Sequence, residues 1–196
     1  PLYLRQDLWQ PGAGEPFFPK TFSESTENLV QYRGYAIRPM KTASGGIGFS
    51  VDITTKMVSR HPLPLHITRD QFRRWQGQHC VYHQDHRWYE IQIRALDDRK
   101  ASEYFVPRNG KSVPLLTFLR EESQKPIPSE LREVPHDASV LLFLNKRDED
   151  RGAPSPLCYP VYGPDGREAS KLHRQAILPP SERDPLILRF VQDYLA

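Results

Sequence analysis

The stretch QYRGYAIRPMKTASGGIGFSVDIT, Gln31 to Thr54, constrains the fold more than any other part of the chain. It reads as two β-strands, Leu29–Pro39 and Ile47–Thr54, joined by a Gly/Ser-rich turn, with Arg33 and Arg38 flanking Tyr35. In the second strand Phe49, Val51 and Ile53 alternate with Ser50, Asp52 and Thr54. That period of two marks a strand with one buried face. The 19 prolines among 196 residues point the same way, because proline breaks helix interiors and is tolerated at strand ends and turns.

The rest of the chain continues the theme of short strands. Pro1 to Thr26 reads as an irregular extended arm around PGAGEPFFP. Thr68 to Trp75 predicts one short helix, with Thr68 or Asp70 as its cap. GQHCVYH and HRWYEIQIRAL predict a β-hairpin turning at Gln84 and Asp85. A short strand is expected over Ser102–Val106, a turn at Arg108–Gly110 and a helix over Val113–Glu122. Ser139–Leu144 reads as a buried strand, Lys146–Arg151 as a charged loop closed by APSP, and Leu157–Val161 as a last strand. The tail is helical, with Ser181 as the expected cap of the final helix. These elements predict an α+β fold: a small twisted β-barrel with an inserted αβ element, flanked by strand and helical segments.

Charge is unevenly spread. Residues 29–112 hold 14 basic and 7 acidic side chains, a net of +7, whereas the segments on either side each have a net of −2. The basic middle also holds five of the seven histidines. Tyr82, Trp88, Tyr89, Tyr104, Phe105 and Phe118 lie in it or beside it. Basic groups that track a phosphate backbone, with rings on which bases stack, are the pattern of a single-strand binder. His79, Cys80, His83 and His86 have metal-ligand spacing, but a strand would point His79 and Cys80 to opposite faces, so no zinc site is expected. The motifs GxSxG, HExxH and the P-loop are absent, and the carboxylates are scattered among arginines, which argues against an enzyme. Cys80 and Cys158 read as free thiols of a reducing, cytoplasmic compartment. No apolar run is long enough for a membrane-spanning helix. Opening on Pro1, the chain reads as a trimmed piece.

The opening strands resemble the first linker of Argonaute and Piwi proteins, where a GYxxSxRP strand is followed by a turn and LxxDVS. Gly34, Tyr35, Arg38 and Pro39 match the first half; Phe49, Val51, Asp52 and Ile53 match the second. From Gln76 to Val161 the chain is similar to a PAZ domain. His79-Cys80 and His86-Arg87-Trp88-Tyr89-Glu90-Ile91 stand for its basic-aromatic hairpin. Tyr104-Phe105-Val106-Pro107, Gly110 and Leu116-Thr117-Phe118-Leu119 stand for its inserted strand, glycine and helix. Lys171-Leu172 and Pro180 to Asp184 resemble the second linker.

The resemblance implies an N-terminal arm and linker 1 over residues 1–61, a PAZ domain over 62–163 and linker 2 over 164–196. It implies an OB- or SH3-like barrel with no cofactor, which anchors the 3′ end of a single-stranded guide RNA or DNA. His79, Arg87 and Tyr89 would meet terminal phosphates, and Tyr104 or Phe105 would pack on the last nucleotide. Phe118 stands where the family has a phosphate-binding tyrosine, and a second such tyrosine falls at Ser123, which weakens the implied grip. The short span between His61 and Gln76 is that of a prokaryotic member. The N, Mid and PIWI domains of the parent protein are the implied partners. The nuclease carboxylates would lie in PIWI, so the fragment itself is expected not to be an enzyme. The alternative is an OB-like protein-interaction scaffold that does not bind nucleic-acid ends.

Overall fold

The computed structural model describes residues 7–11, 14–84, 87–108, 110–121, 134–144, 150–163 and 167–195, with Gln84, Arg87 and Glu121 described by backbone only. The chain divides into two compact units. One joins residues 1–58 to 162–196; the other is the continuous stretch 59–161.

In the discontinuous unit, β1 (Leu8–Trp9) pairs with β2 (Phe18–Pro19). Strands β3 (Glu24–Ser25), β4 (Leu29–Lys41) and β5 (Ile47–Ser59) run side by side in that order. The arm is therefore less irregular than its prolines imply, because Trp9 and Phe18 are buried and bring their strands with them. Helices α3 (Arg167–Ala176) and α4 (Pro180–Tyr194) complete the unit.

Strand β4 is covered on both faces. On one, Tyr32 meets the edge of Trp9 at 5.8 Å, Trp9 stacks on Phe18 at 5.0 Å, and the Phe18 ring lies 2.5 Å from where a Cβ on Gly34 would stand. Glycine at position 34 is thus a packing requirement. On the other face, Leu29 clusters with Met57, Ala169 and Leu172, while Tyr35 stacks on Phe190 at 4.0 Å. Phe18 and Phe190 are 1% and 2% exposed. Each such burial contributes about 1.5–3 kcal/mol. Glu168 accepts hydrogen bonds from Thr26 Oγ1 and Asn28 Nδ2, both at 2.9 Å, which ties the first turn of α3 to the start of β4.

Helix α4 corrects one expectation. It begins at Pro180 with Pro179 before it, and no side chain caps it, so Ser181 lies inside the first turn. Proline suits the first helical position because the N–H it lacks has no intrahelical partner there.

In the continuous unit, α1 (Arg69–Phe72) starts at Thr68 with a full capping box: Thr68 Oγ1 accepts from the Gln71 N–H, and Gln71 Oε1 accepts from the Thr68 N–H. β6 (His79–Gln84) and β7 (Arg87–Gln92) form the expected hairpin, whose turn lies outside the described residues. β8 (Ala95–Lys100) is a separate strand. The backbone changes partner there: the Ile93 N–H donates to Gln78, and the Arg94 N–H donates to Leu142.

β9 (Phe105–Arg108) and β10 (Lys111–Pro114) form a second hairpin that leads into α2 (Leu115–Glu121). The helix starts two residues later than its apolar pattern predicts, since Val113 pairs with Val106 as strand. β11 (Ser139–Leu144) pairs with β12 (Asp150–Pro154) and β8. Asp150 and Arg151, expected in the charged loop, therefore form strand β12 with Gly152, Ala153 and Pro154; residues 145–149 lie outside the described residues. After a single 3-10 turn, Ser155–Leu157, β13 (Cys158–Tyr162) pairs with β6.

Cys80, Tyr82 and Ile91 share one core with Val140, Leu141 and Leu157. The chain is mixed α and β, mostly strand. Strand pairing among the described residues gives open sheets and no closed barrel. Among them no helix is long and apolar enough to cross a membrane.

Candidate nucleic-acid interface

The hairpin β6–β7 sorts its side chains by register. Tyr82 pairs with Tyr89, Cys80 with Ile91 and Gln84 with Arg87, so these six positions share one face. Toward Gln92 that face is core: Cys80 is 0% exposed and Ile91 5%. Toward the turn it opens, and Tyr89 reaches 36% exposure. Arg87 belongs to the same open end by register, but its side chain lies outside the described residues.

His79 sits on the opposite face, with Val81, His83, Trp88 and Glu90. The structure therefore brings Tyr89 and the Arg87 position together and separates His79 from them. His79 Nδ1 lies 3.0 Å from Glu90 Oε1, a diagonal pair across the strands. An anion approaching His79 meets that carboxylate as well.

The His79 face also holds a feature that the sequence did not reveal. The His83 imidazole lies between two rings, 4.1 Å from Trp88 at 8° and 4.3 Å from Tyr159 at 23°. Trp88 stands opposite His83, and Tyr159 opposite Val81 on the other flank of β6. Register alone could have found this stack, and register needs the pairing of β6 with β13, which lies far along the chain.

The ribbon β9–β10 and helix α2 carry the other predicted residues. Phe105 presents its ring outward at 47% exposure, whereas Tyr104 is 5% exposed. Of that pair, only Phe105 offers a face to a ligand. The Tyr104 ring packs under the Arg99 guanidinium, 4.8 Å from its carbon, and burial raises the phenol pKa. Arg99 in turn holds Asp97 through two side-chain hydrogen bonds of 2.8 and 2.7 Å, which keep that carboxyl below its ordinary pKa. Phe118 is half-buried beside the shared core, with the Arg108 guanidinium 5.9 Å from its ring centre.

The histidine-cysteine run behaves as the strand geometry requires. Cys80 points into the core, away from His79 and His83, and His86 lies outside the described residues. Among the described residues no group of three or more His, Cys, Asp or Glu side chains is placed to hold a metal ion. Burial pushes the Cys80 thiol up to about 12, with the Glu90 charge adding to it, and burial raises Cys158 as well. Since the thiolate is the reactive form, alkylation of both cysteines by iodoacetamide at pH 8 is expected to be at least about a hundredfold slower in the folded chain than in denaturant. Mass spectrometry of the two peptides checks this; rapid native labelling at Cys80 contradicts it.

No family model matches the chain, and no curated protein matches it. Solved structures do. The chain is similar to the crystal structure of Drosophila Piwi, with a TM-score of 0.56 at 14% identity, over 95% of this chain and 24% of that one. It is also similar to Clostridium butyricum Argonaute bound to a guide DNA and a target DNA, with a TM-score of 0.45 at 12% identity, over 83% of this chain and 23% of that one. A third similarity is to Marinitoga piezophila Argonaute in complex with a 5′ OH guide RNA and target DNA, with a TM-score of 0.37 at 13% identity, over 88% and 19%. At such identities the Piwi likeness carries the fold, and the two lower scores add nothing to it. The chain spans less than a quarter of each of these proteins.

Proposed function

We propose that this chain is the linker 1–PAZ–linker 2 part of an Argonaute-family protein, with a PAZ domain over 62–163, and that it anchors the 3′ end of a single-stranded guide. The observation that carries the reading is the open end of the β6–β7 hairpin. There the exposed Tyr89 ring and the Arg87 position share a face, on the same core that supports the outward Phe105 ring. A phenol and a guanidinium together suit a terminal phosphate, and an exposed phenyl ring suits the last base. The Piwi-like fold over nearly the whole chain supports the family assignment. On this reading the parent protein is a cytoplasmic, prokaryotic Argonaute, and cleavage belongs to its PIWI domain.

Titration of 5′-labelled single strands tests it. A free 3′-hydroxyl strand is expected to bind about tenfold better than a circular strand of the same sequence, as the loss of one charge-assisted contact predicts. Affinity is also expected to fall with salt at a logarithmic slope of about −2, the value for three phosphates on a single strand. Equal affinity for linear and circular strands at every salt concentration overturns the reading. RNA and DNA arms of the titration decide the guide chemistry.

One observation favours docking to protein. The far end of the β4–β5 pair exposes Met40 at 50%, Ile47 at 80% and Phe49 at 66%. Apolar side chains so exposed fit contact with other domains of the parent protein, or the scaffold role if no strand binds even at low salt.

A further inference from the structure

Two adjacent residues of β12 hold the root of the β9–β10 ribbon. Arg151 Nη1 donates to the Pro107 carbonyl at 2.7 Å, midway along β9. Gly152 leaves room for the Tyr104 ring, whose Cε1 lies 2.5 Å from where a Cβ would stand. Tyr104 is the residue just before β9, and its carbonyl accepts the Leu115 N–H at 2.8 Å, closing the base of the ribbon. The base and the middle of β9 are thus fixed by neighbouring positions on one strand. Among the described residues β12 pairs only with β11, and the ribbon is held to β12 by a side chain and a ring slot.

The ribbon needs such a tether. It has only two short strands, which are marginal alone in water. Its outward ring is Phe105, the first residue after Tyr104. A ring whose angle is set before binding loses less ordering free energy on meeting a terminal nucleotide.

We propose that Arg151 is a positioning residue: by holding the Pro107 carbonyl it presets the angle of the ribbon, and through it the Phe105 ring, for a nucleic-acid 3′ end. The role rests on the end-anchoring function, and its readouts are separable from it. The variants are Arg151→Ala and Arg151→Lys in the 196-residue chain. Hydrogen exchange of the Phe105–Pro114 amides in the free protein reads the tether. The affinity ratio of free 3′-hydroxyl RNA to circular RNA reads its use.

In Arg151→Ala, ribbon exchange is expected to be about tenfold faster, with β6–β7 unchanged, and the end preference to fall about fivefold. Lysine can still donate to the carbonyl, so Arg151→Lys is expected to restore a good part of both. Because Arg151 is only partly buried, the variants are expected to stay folded. If alanine unfolds the chain, Arg151→Met, which keeps an apolar stem and loses the donor, carries the same test with the same expected changes. Unchanged ribbon exchange in Arg151→Ala overturns the tether. Faster exchange with an unchanged end preference overturns the positioning role. A wild-type chain with no end preference overturns that role together with the function beneath it, while the exchange result still reports whether the tether exists.

Discussion

Valine in place of Gly152 is expected to lower the stability of the chain by about 3 kcal/mol, and its melting temperature by roughly 6–12 °C. The Cβ alone would stand 2.5 Å from Tyr104 Cε1, 2.7 Å from Tyr104 Cζ and 2.7 Å from Val140 Cγ1. None of these atoms can move away cheaply. Val140 is 0% exposed and lies on β11, in register with Pro154. The Tyr104 ring has the Arg99 guanidinium over it, and hydrogen bonds to Lys100 and from Leu115 hold its backbone. Gly46 and Gly48 are a useful contrast, since their nearest contacts at 3.1–3.2 Å are to the exposed Thr42 side chain, which can turn aside. Thermal unfolding by circular dichroism measures the loss. The double change Gly152→Ala with Tyr104→Leu is expected to be less damaging than the sum of its parts, because each removes the other's obstacle. A Gly152→Val chain that melts with the wild type would mean that the ring is not locked against β12.

The second large effect concerns binding. Arg87→Ala together with Tyr89→Ala is expected to lower the affinity for a free 3′-hydroxyl strand by about a hundredfold, from about 1.5 kcal/mol for each contact. The affinity for a circular strand is expected to change far less. Fluorescence anisotropy on both strands measures the ratio. The melting temperature is expected to stay close to that of the wild type, because Tyr89 is 36% exposed and lies at the open end of its face. His79→Ala is the control on the opposite face, where Glu90 already engages the imidazole. If His79→Ala costs more than the double change, the open end of the hairpin is not the anchoring face.

Where local patterning and burial agree, the sequence is legible. The β6–β7 hairpin follows from alternation, β11 from its apolar run and the Thr68 cap from a capping pair. β4 and β5 are strands as read, but the alternation does not mark a buried face in β5, where Phe49 is 66% exposed. β8 escaped because DDRK carries no apolar alternation; it is a strand because β11 supplies its partner. β12 escaped because glycine, alanine and proline have low strand propensity, and here all three are buried against neighbours from elsewhere in the chain. Tyr104 and Phe105 could not be told apart from composition, since which of two adjacent rings turns inward depends on the slot at Gly152. The Trp88–His83–Tyr159 stack joins residues of two strands that are neighbours only once the sheet exists.

The discontinuous unit sets a schedule for the chain as it is made. Glu168, which receives Thr26 and Asn28, follows Thr26 by 142 residues. At ordinary rates of synthesis that separation is on the order of 10–30 s. Through that interval β4 has no α3 or α4 to cover Leu29 and Tyr35, while residues 59–161 emerge complete and free to close on their own core. The middle of the chain can therefore finish folding before its beginning, and the nascent β4 surface is where a chaperone or an aggregate would take hold.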